Sequence, residues 1–162
     1  MPHFEILRRV PHSAATMFDL VADVERYPEF LPFCTGLRVL RRIETPDGKV
    51  VLTANMTVGY KLIRESFTSR VTLDWEAMRI LVQYIDGPFR HLDNRWEFRE
   101  AGRGTEQVAE NSEIDFSIDY SFKSRTFEML VGTVFDKLFR KMTEAFETRA
   151  EALKNASKTS AV

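Results

Sequence analysis

The chain has 162 residues and a mass of 18.8 kDa, with 44% hydrophobic and 29% charged residues and a formal charge of −1 from 23 basic and 24 acidic side chains. That is one domain, large enough to bury roughly 70% of its unfolded surface without a disulfide or metal, and too evenly charged for polyanion binding driven by net charge alone. Its 13 Phe, 2 Trp and 4 Tyr exclude an ordinary disordered segment, and the single Cys34 excludes an internal disulfide and fits a reducing cytoplasm.

Phe4 to Val10 reads as a short strand ended by Pro11. Ser13 is placed to cap a helix of Ala14 to Ala22, because its hydroxyl accepts from the first free backbone amides. Asp23 is placed to cap a second short helix, Val24 to Tyr27, which Pro28 is expected to stop. Tyr27-Pro-Glu-Phe-Leu-Pro-Phe-Cys34 then sets four large apolar side chains in a segment whose two prolines oppose regular helix. It either plugs one end of the core or stands at the mouth of an apolar cavity.

From Leu37 to Tyr120 the pattern has period two. The predicted strands are Leu37 to Glu44, Lys49 to Val58, Tyr60 to Asp74, Ala77 to Asp86, His91 to Glu100 and Thr105 to Tyr120. Asp47-Gly48 is the strongest hairpin signal. Gly59 is read as a break, and Gly87-Pro88-Phe89 and Ala101 to Gly104 as turns. Such alternation predicts an antiparallel sheet with one dry face, curled around its cover. The last strand turns Val108, Ile114, Phe116, Ile118 and Tyr120 inward.

The cover is a helix predicted from Phe122 to about Asn155, with apolar residues at steps of three and four from Phe127 to Phe146. At ~1.5 Å per residue, some thirty residues cross the whole sheet. Residues 1–155 form the single domain, and 156–162 are expected to fray. The class is α+β, a curved sheet of about seven strands wrapped on one long C-terminal helix.

That order, with Asp23-Val-Glu-Arg-Tyr-Pro-Glu-Phe-Leu-Pro-Phe-Cys34, resembles the START-like (Bet v 1-like) helix-grip superfamily. Within it the chain is similar to the coenzyme Q-binding family, which also contains ribosome-association toxin-type proteins. Gly87-Pro88-Phe89 with Leu92 and Trp96, and the run Val108 to Phe122, support the likeness. Phe33 stands where the family more often has Trp. The resemblance implies a deep apolar cavity that binds ubiquinone or its isoprenoid tail, in support of respiration. The implied lining is Phe30, Leu31, Phe33, Met56, Phe67, Tyr84, Leu92, Asn94, Trp96, Phe116, Phe127, Leu130, Val131, Val134 and Phe135. Ubiquinone would be a bound ligand, not a cofactor. The alternatives are association with the large ribosomal subunit and, less favoured, polyketide cyclase or aromatase activity.

Taken alone, the residues leave open whether the large inward side chains fill the space under the helix or line it. Inward positions also carry Glu65, Ser69, Asn94, Glu110 and Ser112. These either sit where water reaches them or orient a ligand's polar head. A quinone presents acceptors, so the donors Ser69, Ser112, Asn94 and Tyr84 suit it better than ionised Glu65 or Glu110.

Enzymatic chemistry finds little support. His3, His12 and His91 are scattered without metal-ligand spacing, Cys34 lacks the signature of an activated nucleophile, and Asp86 and Asp93 read as solvated turn residues. No enzyme activity, metal or DNA partner is expected. Eight basic residues between 122 and 158 face five acidic ones, a surplus suited to an anionic membrane or to a solvated helix back. No apolar leader of roughly 7–15 residues stands at the start. The expected location is the cytoplasm, with peripheral contact at the inner membrane as its variant.

Overall fold

The computed structural model describes residues 3–101 and 111–160, apart from the side chains at 131–133 and 158–160. Strand β1 (His3–Val10) leads to helix α1 (Ala14–Ala22), a 3-10 turn (Val24–Arg26) and the one-turn helix α2 (Tyr27–Phe30). Six strands follow: β2 (Cys34–Glu44), β3 (Val50–Tyr60), β4 (Ile63–Asp74), β5 (Arg79–Asp86), β6 (Phe89–Ala101) and β7 (Asn111–Phe122). Helix α3 (Arg125–Ser160) comes last. The strands form one antiparallel sheet ordered β1-β7-β6-β5-β4-β3-β2. The chain crosses once, from β1 through α1 and α2 to the far edge, and then returns as a meander.

The local chemistry explains most of these bounds. Ser13 Oγ accepts from Thr16 N at 3.1 Å and starts α1. Thr45 to Lys49 closes the β2–β3 hairpin around Gly48, whose φ is 85°. Several expectations need correction. Asp23 makes no side-chain cap, and Pro28 does not stop a helix but occupies the first turn of α2, where a missing N–H costs nothing. Strand β2 starts earlier than read, at Cys34, and Gly59 stays within β3. The break falls at Lys61-Leu62, where Lys61 takes a φ of 54°. Phe89 opens β6 rather than lying in the turn, and Phe122 ends β7 rather than starting the helix. Helix α3 runs on to Ser160, into the stretch expected to fray. The predicted strand residues 105–110, with Val108 and Glu110, lie outside the described residues.

Curvature comes from irregular register in β2, β5 and β6, at Cys34/Gly36, Val39/Arg41, Tyr84/Asp86 and Phe89/His91. Such bulges bend and twist a strand. The alternation holds across the bend: Leu92, Asn94, Trp96 and Phe98 on β6, and Ile114, Phe116, Ile118 and Tyr120 on β7, are all buried on the concave face. The C-terminal half of α3 closes that face and is tied at several points. Phe146 and Ala150 are buried. Glu147 pairs with Arg8, and Arg149 reaches Glu29 at 3.4 Å.

Gly87, between β5 and β6, has φ 144°, and a Cβ there would stand 2.7 Å from Phe67 Cβ and 3.0 Å from its Cα. Gly48 also has positive φ, yet an added Cβ would meet nothing within 4 Å. Gly87→Ala should therefore cost more than about 1 kcal/mol in urea unfolding, and clearly more than Gly48→Ala. Equal losses would mean that Phe67 yields without strain.

Candidate functional site

A cavity of about 180 Å³ lies between the concave face and α3. Its floor is the dry parity of the strands, including Met56, Phe67, Val71, Trp96 and Phe116. Its roof is the α3 stripe Phe127, Phe135, Leu138, Phe139, Met142 and Phe146. Leu31, Pro32, Phe33 and Cys34 wall one side. The space exists because Ala54 and Ser69 sit opposite each other on β3 and β4, two small side chains where larger ones would meet the roof. Glu65 lines the cavity and is exposed, so the hollow reaches the surface there.

Ten of the fifteen expected lining residues face this space: Leu31, Phe33, Met56, Phe67, Leu92, Asn94, Trp96, Phe116, Phe127 and Phe135. Four others do not. Phe30 stacks edge-on behind Phe146 at 5.3 Å, with the Arg149 guanidinium 5.2 Å above it, and so backs the wall. Tyr84 packs its ring on Phe89 at 5.7 Å, one residue pair beyond Val82, which does line the floor. Leu130 is 73% exposed, because at ~100° per residue it stands about 120° round the helix from Met142. Val134, about 80° round, lies on the stripe's shoulder and is half-buried. The side chain of Val131 lies outside those described. Sequence reading missed Tyr120, Phe122 and Phe139, assigned to the core or the helix stripe without the cavity, and missed the Ala54–Ser69 gap. The signal for that gap was two small residues in register on adjacent strands.

Polar groups are few inside. Asn94 is largely committed to the protein: its Nδ2 donates to Ser117 O, and its Oδ1 accepts from Trp96 Nε1, both at 2.9 Å. One amide N–H of Asn94 and the hydroxyl of buried Ser69 remain to face a guest. Ser112 is fully buried and does not line the cavity, so it drops out of the donor set; neither its hydroxyl nor that of Tyr84 has a partner among the described residues.

Burial pushes the Cys34 thiol up, against a weaker lowering from a backbone hydrogen bond at Gly36, so it stays protonated. Burial also raises Tyr27, whose hydroxyl donates to Val21 O. Tyr120 is pushed up to about 12 by burial, with the Asp136 and Glu128 carboxylates adding to it. Asp86 and Asp93 are both exposed. The described His, Cys, Asp and Glu residues form no metal-holding group. The cavity's chemistry is that of an apolar container with two weak donors.

Residues 10–147 match the family described as polyketide cyclase / dehydrase and lipid transport. The ribosome association toxin RatA of Escherichia coli strain K12 is 36% identical over 156 residues, covering 96% of this chain and 91% of that protein. The mitochondrial coenzyme Q-binding protein coq10 of Schizosaccharomyces pombe is 28% identical, covering 89% of this chain and 84% of its own. The 18 kDa protein CC1736 of Caulobacter crescentus superimposes with a TM-score of 0.78 at 30% identity, covering 96% of this chain and 99% of that one. The START-like helix-grip fold and the likeness to the coenzyme Q-binding family are thereby borne out.

Tyr120 yields a pH prediction. Between pH 10 and about 12 the folded chain keeps a proton that the unfolded chain releases. Its contribution is fully present below pH 10 and is lost as the pH climbs through 12. Urea midpoints should fall across that window, and Tyr120→Phe should make the fall shallower. Tyr27, raised in the same direction, keeps it from becoming flat. An unchanged slope in Tyr120→Phe would place the alkaline sensitivity elsewhere.

Proposed function

The chain belongs to the polyketide cyclase / dehydrase and lipid transport family, and we propose that its cavity binds an isoprenoid lipid, ubiquinone or a similar prenyl quinone, without chemical turnover. The observation that carries this reading is the almost unbroken apolar lining, aromatic on both floor and roof. A prenyl segment lies between the Phe135–Phe139 stretch of α3 and Phe67, Trp96 and Phe116 below. Burial contributes at ~25 cal/mol per Å² of apolar surface. A guest that fills the hollow gives its walls the contacts they otherwise lack.

The volume also limits the guest. Ligand clefts commonly measure roughly 300–1,000 Å³, so this hollow takes part of a long lipid and leaves the rest outside. Ser69 and Asn94 offer donors to a quinone carbonyl at the inner end. The coq10 relative supports a role in respiration, as carrier or chaperone of the lipid. Such a protein works in the cytoplasm beside the membrane that holds its ligand.

The 36% identity to a ribosome association toxin favours a second reading, contact with the large ribosomal subunit through the outer surface. That reading needs no guest in the cavity. Co-sedimentation with large subunits, weakening steeply with salt, would establish it.

The first test is extraction of ubiquinone co-purified from a quinone-producing host. Phe135→Asp places a charge in the roof and Met56→Trp fills the floor, so each should lower retention at least tenfold. Leu40→Asp, on the exposed side of β2, should leave it unchanged. Full retention in a folded Phe135→Asp protein would refute the placement.

A further inference from the structure

The antiparallel register gathers several connections at one end of the sheet. Cys34 lies opposite Val58, Tyr60 opposite Ile63, Thr68 opposite Asp86 and Phe89 opposite Phe122. The segment before β2, the β3–β4 and β5–β6 turns, and the start of α3 therefore all surround the open side of the cavity. Phe33 and Gly87, both at positive φ, sit in this ring of turns.

The three most exposed large apolar side chains described also lie here. Leu62 is 102% exposed, Met129 86% and Leu130 73%, while the next, Leu7, reaches 58%. Leu62 tips the β3–β4 turn, and Met129 and Leu130 occupy the first turns of α3. The register sets them at the same end of the sheet, on opposite sides of the opening, where a flat apolar partner would meet all three. Bases flank them: Lys61 and Arg64 beside Leu62, Lys123 and Arg125 just before Met129. All four are exposed, and none forms a salt bridge among the described residues. The nearby acids are exposed Glu65 and Asp86, and Glu128, which is occupied in accepting from Phe122 N at 3.3 Å and Ser121 Oγ at 3.4 Å.

We infer that this end of the molecule docks on an anionic phospholipid bilayer, with Leu62, Met129 and Leu130 entering the headgroup boundary and Lys61, Arg64, Lys123 and Arg125 meeting the phosphates. Amphipathic surfaces bind anionic membranes by this combination of apolar area and basic charge. The size of the cavity points the same way. A prenyl lipid longer than the hollow has to continue through its open side, and in the docked pose that side faces hydrocarbon instead of water. The inference rests on the prenyl-lipid reading for what passes through the opening, but the contact itself stands on the surface residues.

The test uses the full chain and sedimenting vesicles of phosphatidylcholine, with and without phosphatidylglycerol. Partitioning should be at least tenfold stronger on the anionic vesicles and should fall with salt. Met129→Asp with Leu130→Asp should weaken it at least tenfold, as should Lys61→Glu with Lys123→Glu. Leu7→Asp and Leu40→Asp, equally disruptive changes on other exposed apolar residues, should not. Folding of each variant is checked by its urea midpoint, which these exposed positions leave near that of the parent.

Partitioning unaffected by the two double variants overturns the inference, as does equal binding to neutral vesicles. So does a concentration-dependent dimer that the same variants abolish, which would assign the surface to a second copy of the chain. The two proposals fail separately. Retained ubiquinone without vesicle binding removes the docking surface and leaves the cavity reading intact. Vesicle binding by a protein that never retains quinone does the reverse.

Discussion

Phe146 is the point on which the arrangement turns. Its ring meets Trp96 of the sheet at 5.4 Å, and Tyr27 and Phe30 of the short-helix segment each at 5.3 Å. Sheet, long helix and the crossover segment thus share one buried aromatic contact. Ring pairs of this kind add about 0.5–1.5 kcal/mol each beyond burial. Glu147 on Arg8, Arg149 on Glu29 and Arg140 over Phe4 hold the helix on either side of it. The N-terminal half of the helix leans on β7 instead, with Phe127 and Phe135 against Phe122 at 4.9 and 5.2 Å. The hollow is left on the other side of the helix, over β3 and β4, where Ala54 and Ser69 are short.

Aromatic side chains make that space a hollow rather than a filled interior. Phe116 contacts Trp96 at 4.7 Å and Phe139 at 5.9 Å, while Phe135, Phe139 and Tyr120 form a continuous cluster at 5.5–5.7 Å. These rings brace one another in edge-to-face and tilted pairs along the β7 side. Across from them, β3 and β4 present Ala54 and Ser69, which are too short to reach the roof. Bulky rings on one wall and small residues on the other let a greasy space persist inside otherwise close packing.

Much of this was legible in the sequence because its signals are local. Ser13 caps α1, Asp47-Gly48 turns a hairpin, and the alternation through β6 and β7 assigns faces without knowledge of the partners. The errors share a different cause. Pro28 reads as a stop until its place in the first turn of α2 is known, since proline ends a helix interior but suits its entry. Gly59 reads as a break, although its backbone N–H donates to Phe33 O at 2.8 Å and keeps the strand paired. Leu130 and Val134 fit the three-and-four spacing, and only the rotation of α3 about its axis turns one outward and the other to the shoulder. The cavity lies furthest from sequence. It depends on Ala54 meeting Ser69 across a ladder whose register no single strand specifies.

The placement of polar groups bears on what such a hollow can do. Asn94 is buried on the concave face, yet its amide ties Trp96 Nε1 to the β7 backbone. Its first role is to orient the indole that forms part of the floor. Removing it would leave the indole N–H unpaired in apolar surroundings, at about 1–3 kcal/mol. Cys34 and the buried tyrosines hold their protons, and the exposed carboxylate that touches the cavity, Glu65, stands at its rim where water solvates it. Among the described residues that line the cavity, charge is therefore kept to the opening. That order suits the neutral, largely apolar guest proposed for the cavity.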